Sequence, residues 1–326
     1  MAKLLVTGWI PEDIIGKYRE QFEEIVLPDE EKTNYTVGEV SGMIGRFDVL
    51  FTISAFPFRD DLIEKAVNLK AVCNLGVGYD NIDVQACTER NICVINTPVS
   101  VCEPTAEFTI ALMMSITRGT LMYDREVRET KRTASVCFFD RDIMLYGKTL
   151  GILGFGRIGQ AAARKAKGLG MNIIYYDPYR KEDAEKEMDA VYCTFDEVLE
   201  KADVVSCHMP YTEENHHVIG AEAFRKMKKT AYFINVARGP IMDEPALVYA
   251  VKNKMIRGAA TDVYENEPHI SEEITKLNNI VLSPHIGSNV YEARRNMAWE
   301  ALDGSLSVLA HVRPHNLVNT SLMGQI

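Results

Sequence analysis

Short apolar runs alternate with helical stretches along most of this 326-residue chain, and that rhythm leaves few folds open. In the first hundred residues the runs are Lys3–Thr7, Glu24–Leu27, Val49–Thr52, Lys70–Asn74 and Ile92–Ile95. Later ones are Thr149–Leu153, Asn172–Tyr176, Ala190–Thr194, Asp203–Cys207, Ala231–Asn235, Ile256–Thr261 and Asn279–Leu282. A run that is apolar throughout reads as a strand buried on both faces. Helical connections make neighbouring strands parallel. The fold class is therefore α/β, and the length suffices for two domains.

The first series has flavodoxin-like proportions, with helices expected at Pro11–Phe22, Thr36–Gly45, Asp60–Val67 and Asp83–Glu89. A long apolar helix with Pro104 near its start should run to about Thr117. The polar stretch Arg118–Lys148 reads as an ordered arm or loop before the second series. A last helix is expected from about Val290 to Ala310.

Composition narrows the function. A net charge of −10, with no strong basic cluster, argues against a nucleic-acid surface. The seven cysteines show no CxxC spacing, and several sit in apolar runs. They read as buried free thiols in a reducing, cytoplasmic compartment. Neither LLVTGWI nor FTIALMMSI is long enough to span a membrane.

The segment TLGILGFGRIGQ sets Gly154, Gly156 and Gly159 in GxGxxG spacing between a strand and an Ala-rich helix. The first glycine suits a tight turn, the second a close pyrophosphate, the third close helix–strand packing. The helix N-terminus favours phosphate. The next strand ends in Asp177, suitably spaced to bind ribose hydroxyls and repel a 2′-phosphate. NAD is favoured over NADP, with nearby Arg180 the one contrary signal.

Three polar residues stand just past successive strands: Arg238 in NVARGP, Glu267 in YENEP and His285 in LSPHIGS. Ligands of open parallel sheets bind beyond those strand ends. Singly, each has a bland reading: a surface cation, a loop acid, a satisfied histidine. Together, beside a dinucleotide fingerprint, they fit reduction of a 2-oxo acid. Arg238 offers a planar fork for a carboxylate. His285 is the candidate acid, and Glu267 would orient its ring. In the first series, NLGVGYDNID places the amides of Val77 and Gly78 as an anion nest, or as a plain strand-to-helix turn. HMPYTEENHH offers His208, Pro210 and Thr212 near an expected adenosine. Its His216 and His217 lack a ligand set, so no metal is expected.

GVGYDNID, NTPVSVCEPTAE, GKTLGILGFGRIGQ, YYDPY, NVARGP, ATDVYENEP and LSPHIGS occur in one order along nearly the whole chain. As a set they resemble the D-isomer-specific 2-hydroxyacid dehydrogenase family, most closely its glyoxylate and hydroxypyruvate reductases. The resemblance implies a Rossmann-type NAD-binding domain, residues 102–288, inserted into a flavodoxin-like substrate domain, residues 1–101 and 289–326. It implies that Arg238 binds substrate, Glu267 supports His285, and His285 donates the proton. It places Asp262 near the nicotinamide and has Thr105 hold the cofactor; Arg157, Ile158, Val236 and Ala237 complete the expected cofactor set. A homodimer formed through the cofactor domain is also implied. Asn215 and Thr261 depart from common family residues, and CFFDRD replaces a frequent Trp in the arm. Phe138 or Phe139 would then face the substrate or fill the dimer interface. The rival reading is an NAD(H)-sensing binding protein of the corepressor type, which shares the fold.

Overall fold

The computed structural model describes residues 1–133 and 142–324. The chain divides into two compact units, Met1–Val101 with Asn289–Ile326, and Cys102–Ser288.

The first unit contains β1 (Lys3–Val6), β2 (Glu24–Val26), β3 (Val49–Thr52), β4 (Ala71–Asn74) and β5 (Cys93–Ile95). They form a sheet in the order β2-β1-β3-β4-β5, with every pairing parallel. This is the flavodoxin-like order. Successive side chains of each strand enter opposite cores. Leu4, Val6, Val49 and Phe51 meet Ala298, Ala301 and Leu302 of the helix Tyr291–Leu309 on one face. Leu5, Leu50 and Val72 meet Val40, Ile44 and Leu62 on the other. Each fully buried Val, Leu, Ile or Phe among them is worth roughly 1.5–3 kcal/mol, so the sheet needs both covers.

Local sequence sets the helix starts. Thr36 and Glu39 form a reciprocal capping box ahead of Val37–Met43, and Asp83 caps Val84–Glu89 through the Ala86 amide. The expected helix Pro11–Phe22 is shorter: Glu12–Ile15 passes into a 3-10 turn at Gly16–Tyr18. Glycine in a helix interior is unfavourable, which accounts for the break at Gly16.

The second unit contains β6 (Thr149–Leu153), β7 (Asn172–Tyr176), β8 (Ala190–Tyr192), β9 (Val204–Cys207), β10 (Tyr232–Asn235), β11 (Gly258–Thr261) and β12 (Ile280–Leu282). They pair in parallel in the order β12-β11-β10-β9-β6-β7-β8. The order reverses at β6, the switch point where doubly wound sheets bind ligands. The sheet is buried on both faces: Phe233 points into one core, Tyr232 and Ile234 into the other. The helix Cys102–Thr117 packs on the helix Arg157–Gly168 through Ala106, Ala161 and Ala162, small residues that let the backbones approach.

The arm differs from the sequence expectation. Residues Thr120–Thr130 form a helix with no buried residue, flanked by left-handed Gly119 and Lys131. It is polar on average and buries no residue, so it offers no core-facing apolar run to mark it. Cys137, Phe138, Phe139 and Asp140 lie outside the described residues. No helix among the described residues is long and apolar enough to cross a membrane.

Candidate active site

The glycine-rich loop follows β6. Gly154 has φ +90°, and a Cβ there would lie 2.7 Å from the Met209 nitrogen and 2.8 Å from the His208 carbonyl carbon. A Cβ at Gly159 would overlap the Gly154 carbonyl oxygen. Protein contacts alone thus exclude a side chain at both positions. Gly156 differs: a Cβ there meets nothing within 4 Å. It caps the helix Arg157–Gly168, so the open space lies where helix amides favour a phosphate. Arg157 is exposed and Ile158 partly buried at that helix start.

Asp177 stands just past β7 and is 9% exposed. Its Oδ2 accepts from the Phe155 amide and its Oδ1 from the Tyr179 amide, both at 2.9 Å. The carboxylate therefore braces the glycine-rich loop and still has lone pairs for a ribose diol. Open space at Gly156 and this carboxylate together fit a dinucleotide. Thr105 is buried in the first turns of the helix Cys102–Thr117, while Pro210 and Thr212 are exposed after β9. His208 is turned inward, with Nε2 2.9 Å from the Ser206 hydroxyl and Nδ1 buried without a partner among the described residues. Burial pushes its pKa down to about 4, so the ring is neutral.

The Arg238 turn is shaped by fully buried Asn235 at the end of β10. Its side-chain oxygen accepts from the Ala237 amide at 3.0 Å, and its Nδ2 donates to the Arg238 carbonyl at 3.0 Å. Val236 is buried beside it, and Arg238 Nη1 donates to the Ala237 carbonyl at 2.8 Å. A Cβ on Gly239 would overlap the Tyr264 carbonyl, so this turn lies directly against the loop that follows β11.

In that loop Glu267 Oε1 accepts from the Tyr264 amide at 3.0 Å, and Oε2 lies 2.8 Å from His285 Nδ1. Burial raises the Glu267 pKa, but the hydrogen bond and charge of His285, the Tyr264 amide and the Arg238 charge outweigh it. The net shift is downward. Glu267 is thus held as a carboxylate against the imidazole. With Nδ1 engaged, Nε2 is the histidine nitrogen left for a reacting atom.

Asp262 has a role that no sequence signal revealed. It is 2% exposed. Its Oδ1 accepts from the Ser283 hydroxyl at 2.7 Å and the Ile286 amide at 2.9 Å; Oδ2 accepts from the Gly287 amide at 2.8 Å. These bonds grip the chain on both sides of His285, whose φ is +55°. A left-handed non-glycine residue costs on the order of 1–3 kcal/mol and persists only where its surroundings enforce it. The carboxylate expected near the nicotinamide is therefore committed to the loop that carries the imidazole.

In the first unit, Val77 and Gly78 follow β4. Their carbonyls accept from Asn96 Nδ2 at 2.8 Å and Asn74 Nδ2 at 2.6 Å. Their amides have no acceptor among the described residues. Both sequence readings of this turn remain compatible with that arrangement.

His216 and His217 are joined by Glu265, whose Oε1 lies 2.7 Å from His217 Nε2. The sequence offered no reason to group Glu265 with them. The two rings lie face to face, 3.9 Å apart and 20° from parallel. Imidazole lone pairs lie in the ring plane, so nearly parallel stacked rings do not aim at one ion. The cluster works as a hydrogen-bonded brace.

Residues 110–287 match the model of the D-isomer specific 2-hydroxyacid dehydrogenase NAD binding domain. The chain is 40% identical over 325 residues to a glyoxylate reductase of Korarchaeum cryptofilum, covering 98% of this chain and 97% of that one. The structure of a glyoxylate reductase from Paecilomyes thermophila superposes with a TM-score of 0.87 at 30% identity, covering 98% and 99% of the two chains. The NAD-complexed D-isomer specific 2-hydroxyacid dehydrogenase of Lactobacillus delbrueckii ssp. bulgaricus gives 0.77 at 26% identity, covering 97% and 100%. These relatives do not favour the corepressor reading. The chain belongs to the D-isomer specific 2-hydroxyacid dehydrogenase family and is an NAD-dependent oxidoreductase acting on the CH–OH group of 2-hydroxy acids.

Proposed function

We propose that the protein reduces a small 2-oxo acid of the glyoxylate or hydroxypyruvate type to the 2-hydroxy acid, of D configuration where C2 is chiral. The observation that carries this reading is the Glu267–His285 pair, which leaves one imidazole nitrogen for the substrate oxygen. Arg238 holds the substrate carboxylate through its planar fork and polarises the adjacent carbonyl. In the unit Met1–Val101 with Asn289–Ile326, we assign the Val77 and Gly78 amides to substrate binding as an anion nest. NADH, when bound, supplies the hydride that C2 receives and leaves as NAD. His285 gives its proton to the carbonyl oxygen, and the Glu267 carboxylate stabilises the imidazolium beforehand.

The cofactor unit, Cys102–Ser288, supplies Gly154, Gly156, Gly159, Arg157 and Ile158 to the phosphates, and Asp177 to the adenosine ribose. Thr105, His208, Pro210, Thr212, Val236, Ala237 and Asp262 line the remainder. His208 serves there as a neutral ring and Asp262 through the His285 loop. We place the enzyme in the cytoplasm as a homodimer that binds no nucleic acid, in keeping with its negative charge and free thiols. The names of the relatives favour glyoxylate among substrates.

NADH oxidation against glyoxylate, hydroxypyruvate, pyruvate and a branched 2-oxo acid tests this reading. The expected result is turnover of all four, with kcat/KM highest for glyoxylate or hydroxypyruvate and falling with side-chain size. Tight NADH binding without turnover of any 2-oxo acid would refute it.

A further inference from the structure

Arg180, three residues beyond Asp177, is the one arginine in this turn that could receive a 2′-phosphate. Its guanidinium is already occupied. Nε and Nη2 donate to Glu185 Oε1 and Oε2 at 2.9 and 2.8 Å, a bidentate fork from the helix Glu182–Met188. The pair is asymmetric: the Arg180 side chain is 57% exposed and that of Glu185 only 14%. Glu185 is itself anchored. Its Oε1 accepts from the Tyr175 hydroxyl at 2.6 Å, and that hydroxyl accepts from the Lys181 amide at 2.9 Å. The Tyr175 ring stacks on Phe155, with centroids 3.9 Å apart, and the Phe155 amide is the one that Asp177 binds. A continuous set of contacts thus runs from the glycine-rich loop to the carboxylate that holds Arg180.

We infer that Glu185 is a determinant of cofactor choice: by filling the guanidinium fork of Arg180 it withholds the side chain best shaped to bind a 2′-phosphate on the adenosine ribose. The inference rests on the reading of Asp177 as the ribose carboxylate. Selectivity for NAD then has two independent parts. Asp177 repels the extra phosphate, and Glu185 denies it a partner. Removing the repulsion alone leaves the phosphate beside an arginine that is still engaged. Lys181, whose Nζ lies 3.9 Å from Asp177 Oδ1, is a second cation in the turn, but a point charge without the fork.

The test measures binding rather than turnover. Dissociation constants for NADH and NADPH come from nicotinamide fluorescence, and those for adenosine 2′,5′-bisphosphate from calorimetry. The proteins are wild type, Asp177→Asn, Asp177→Asn with Glu185→Gln, and that double variant with Arg180→Met. Asp177→Asn should weaken NADH and admit NADPH. Adding Glu185→Gln should tighten NADPH and the bisphosphate by a further factor of about ten, one charge-assisted contact, with NADH unchanged from the single variant. Adding Arg180→Met should abolish that gain while Lys181 remains. Unchanged NADH binding in the double variant relative to the single also shows that the ribose site is intact. Equal NADPH affinity in the single and double variants would overturn the latch while leaving Asp177 its role. A gain that survives Arg180→Met would overturn it too. If Asp177→Asn changes neither affinity, Asp177 leaves the ribose and the latch falls with it.

Discussion

Two loops of the second unit solve one problem in opposite ways. The loop after β6 and the loop after β12 each turn sharply through a left-handed residue. Each is held by a buried aspartate from the end of the neighbouring strand. Asp177, past β7, binds the Phe155 amide; Asp262, past β11, binds the Ile286 and Gly287 amides. At the first loop the left-handed residue is Gly154, which adopts φ +90° without steric cost. At the second it is His285, which bears the cost. Where only backbone must meet a ligand, glycine suffices. Where a side chain must be presented, strain is accepted and a carboxylate is committed to holding it. Asp177 accepts from two backbone amides, whereas Asp262 makes three bonds to its loop and is almost fully buried.

The largest effect should come from emptying the strained position. His285→Ala should lower kcat for reduction by at least about a hundredfold, the low end for general acid catalysis. NADH affinity, measured by fluorescence, should change little. A kcat within a few-fold of wild type would mean that the loop presents no proton donor.

Weakening the brace should cost less. Asp262→Asn keeps the shape but replaces one acceptor oxygen with an NH2, so a buried loop amide loses its partner. The expected loss of stability is about 1–3 kcal/mol, read by urea denaturation. The kcat should fall about tenfold, because the imidazole is no longer fixed in place. An unaltered urea transition and kcat would show that the loop after β12 holds its conformation without the carboxylate.

Removing the orienting charge should give the smallest change at neutral pH and the clearest one in a pH profile. The Glu267 pKa is lowered in the fold. Its ionised form therefore contributes stability above the ordinary carboxylate range, and that contribution fades as pH falls through the depressed value. Glu267→Gln should be less stable than wild type at neutral pH, with the gap closing on acidification. A gap that stays constant or widens on acidification would contradict the assigned electrostatics.

Most of the twelve strands among the described residues were legible as short apolar runs closed by polar or turn residues, because burial on both faces keeps such runs continuous; the edge strands β2 and β8 are only partly buried. The helix Tyr291–Leu309 was legible from its length and the alanines along its buried side. The exposed helix Thr120–Thr130 was not, because nothing in its pattern is tied to a core. Arg238, Glu267 and His285 were visible as polar residues at strand ends. The left-handed backbone of His285 was not legible, because the modest enrichment of histidine at positive φ does not single out one histidine among seven. The three bonds of Asp262, the Glu185 fork on Arg180 and the Glu265 contact with His217 depend on atoms separated by turns of unspecified geometry. Spacing along a chain does not report them.

The helix Tyr291–Leu309 has a consequence for biosynthesis. It covers one face of the first sheet, yet it follows the entire second unit in the chain. All five strands of that sheet have been synthesised by Ile95, so Leu4, Val6, Val49 and Phe51 must wait for Ala298, Ala301 and Leu302. At translation rates of about 5–20 residues per second, the wait is on the order of 10–40 s. During that time the nascent chain carries an uncovered apolar sheet face while the cofactor unit is being made. The order of synthesis, rather than the stability of the finished enzyme, sets how long that face stays uncovered.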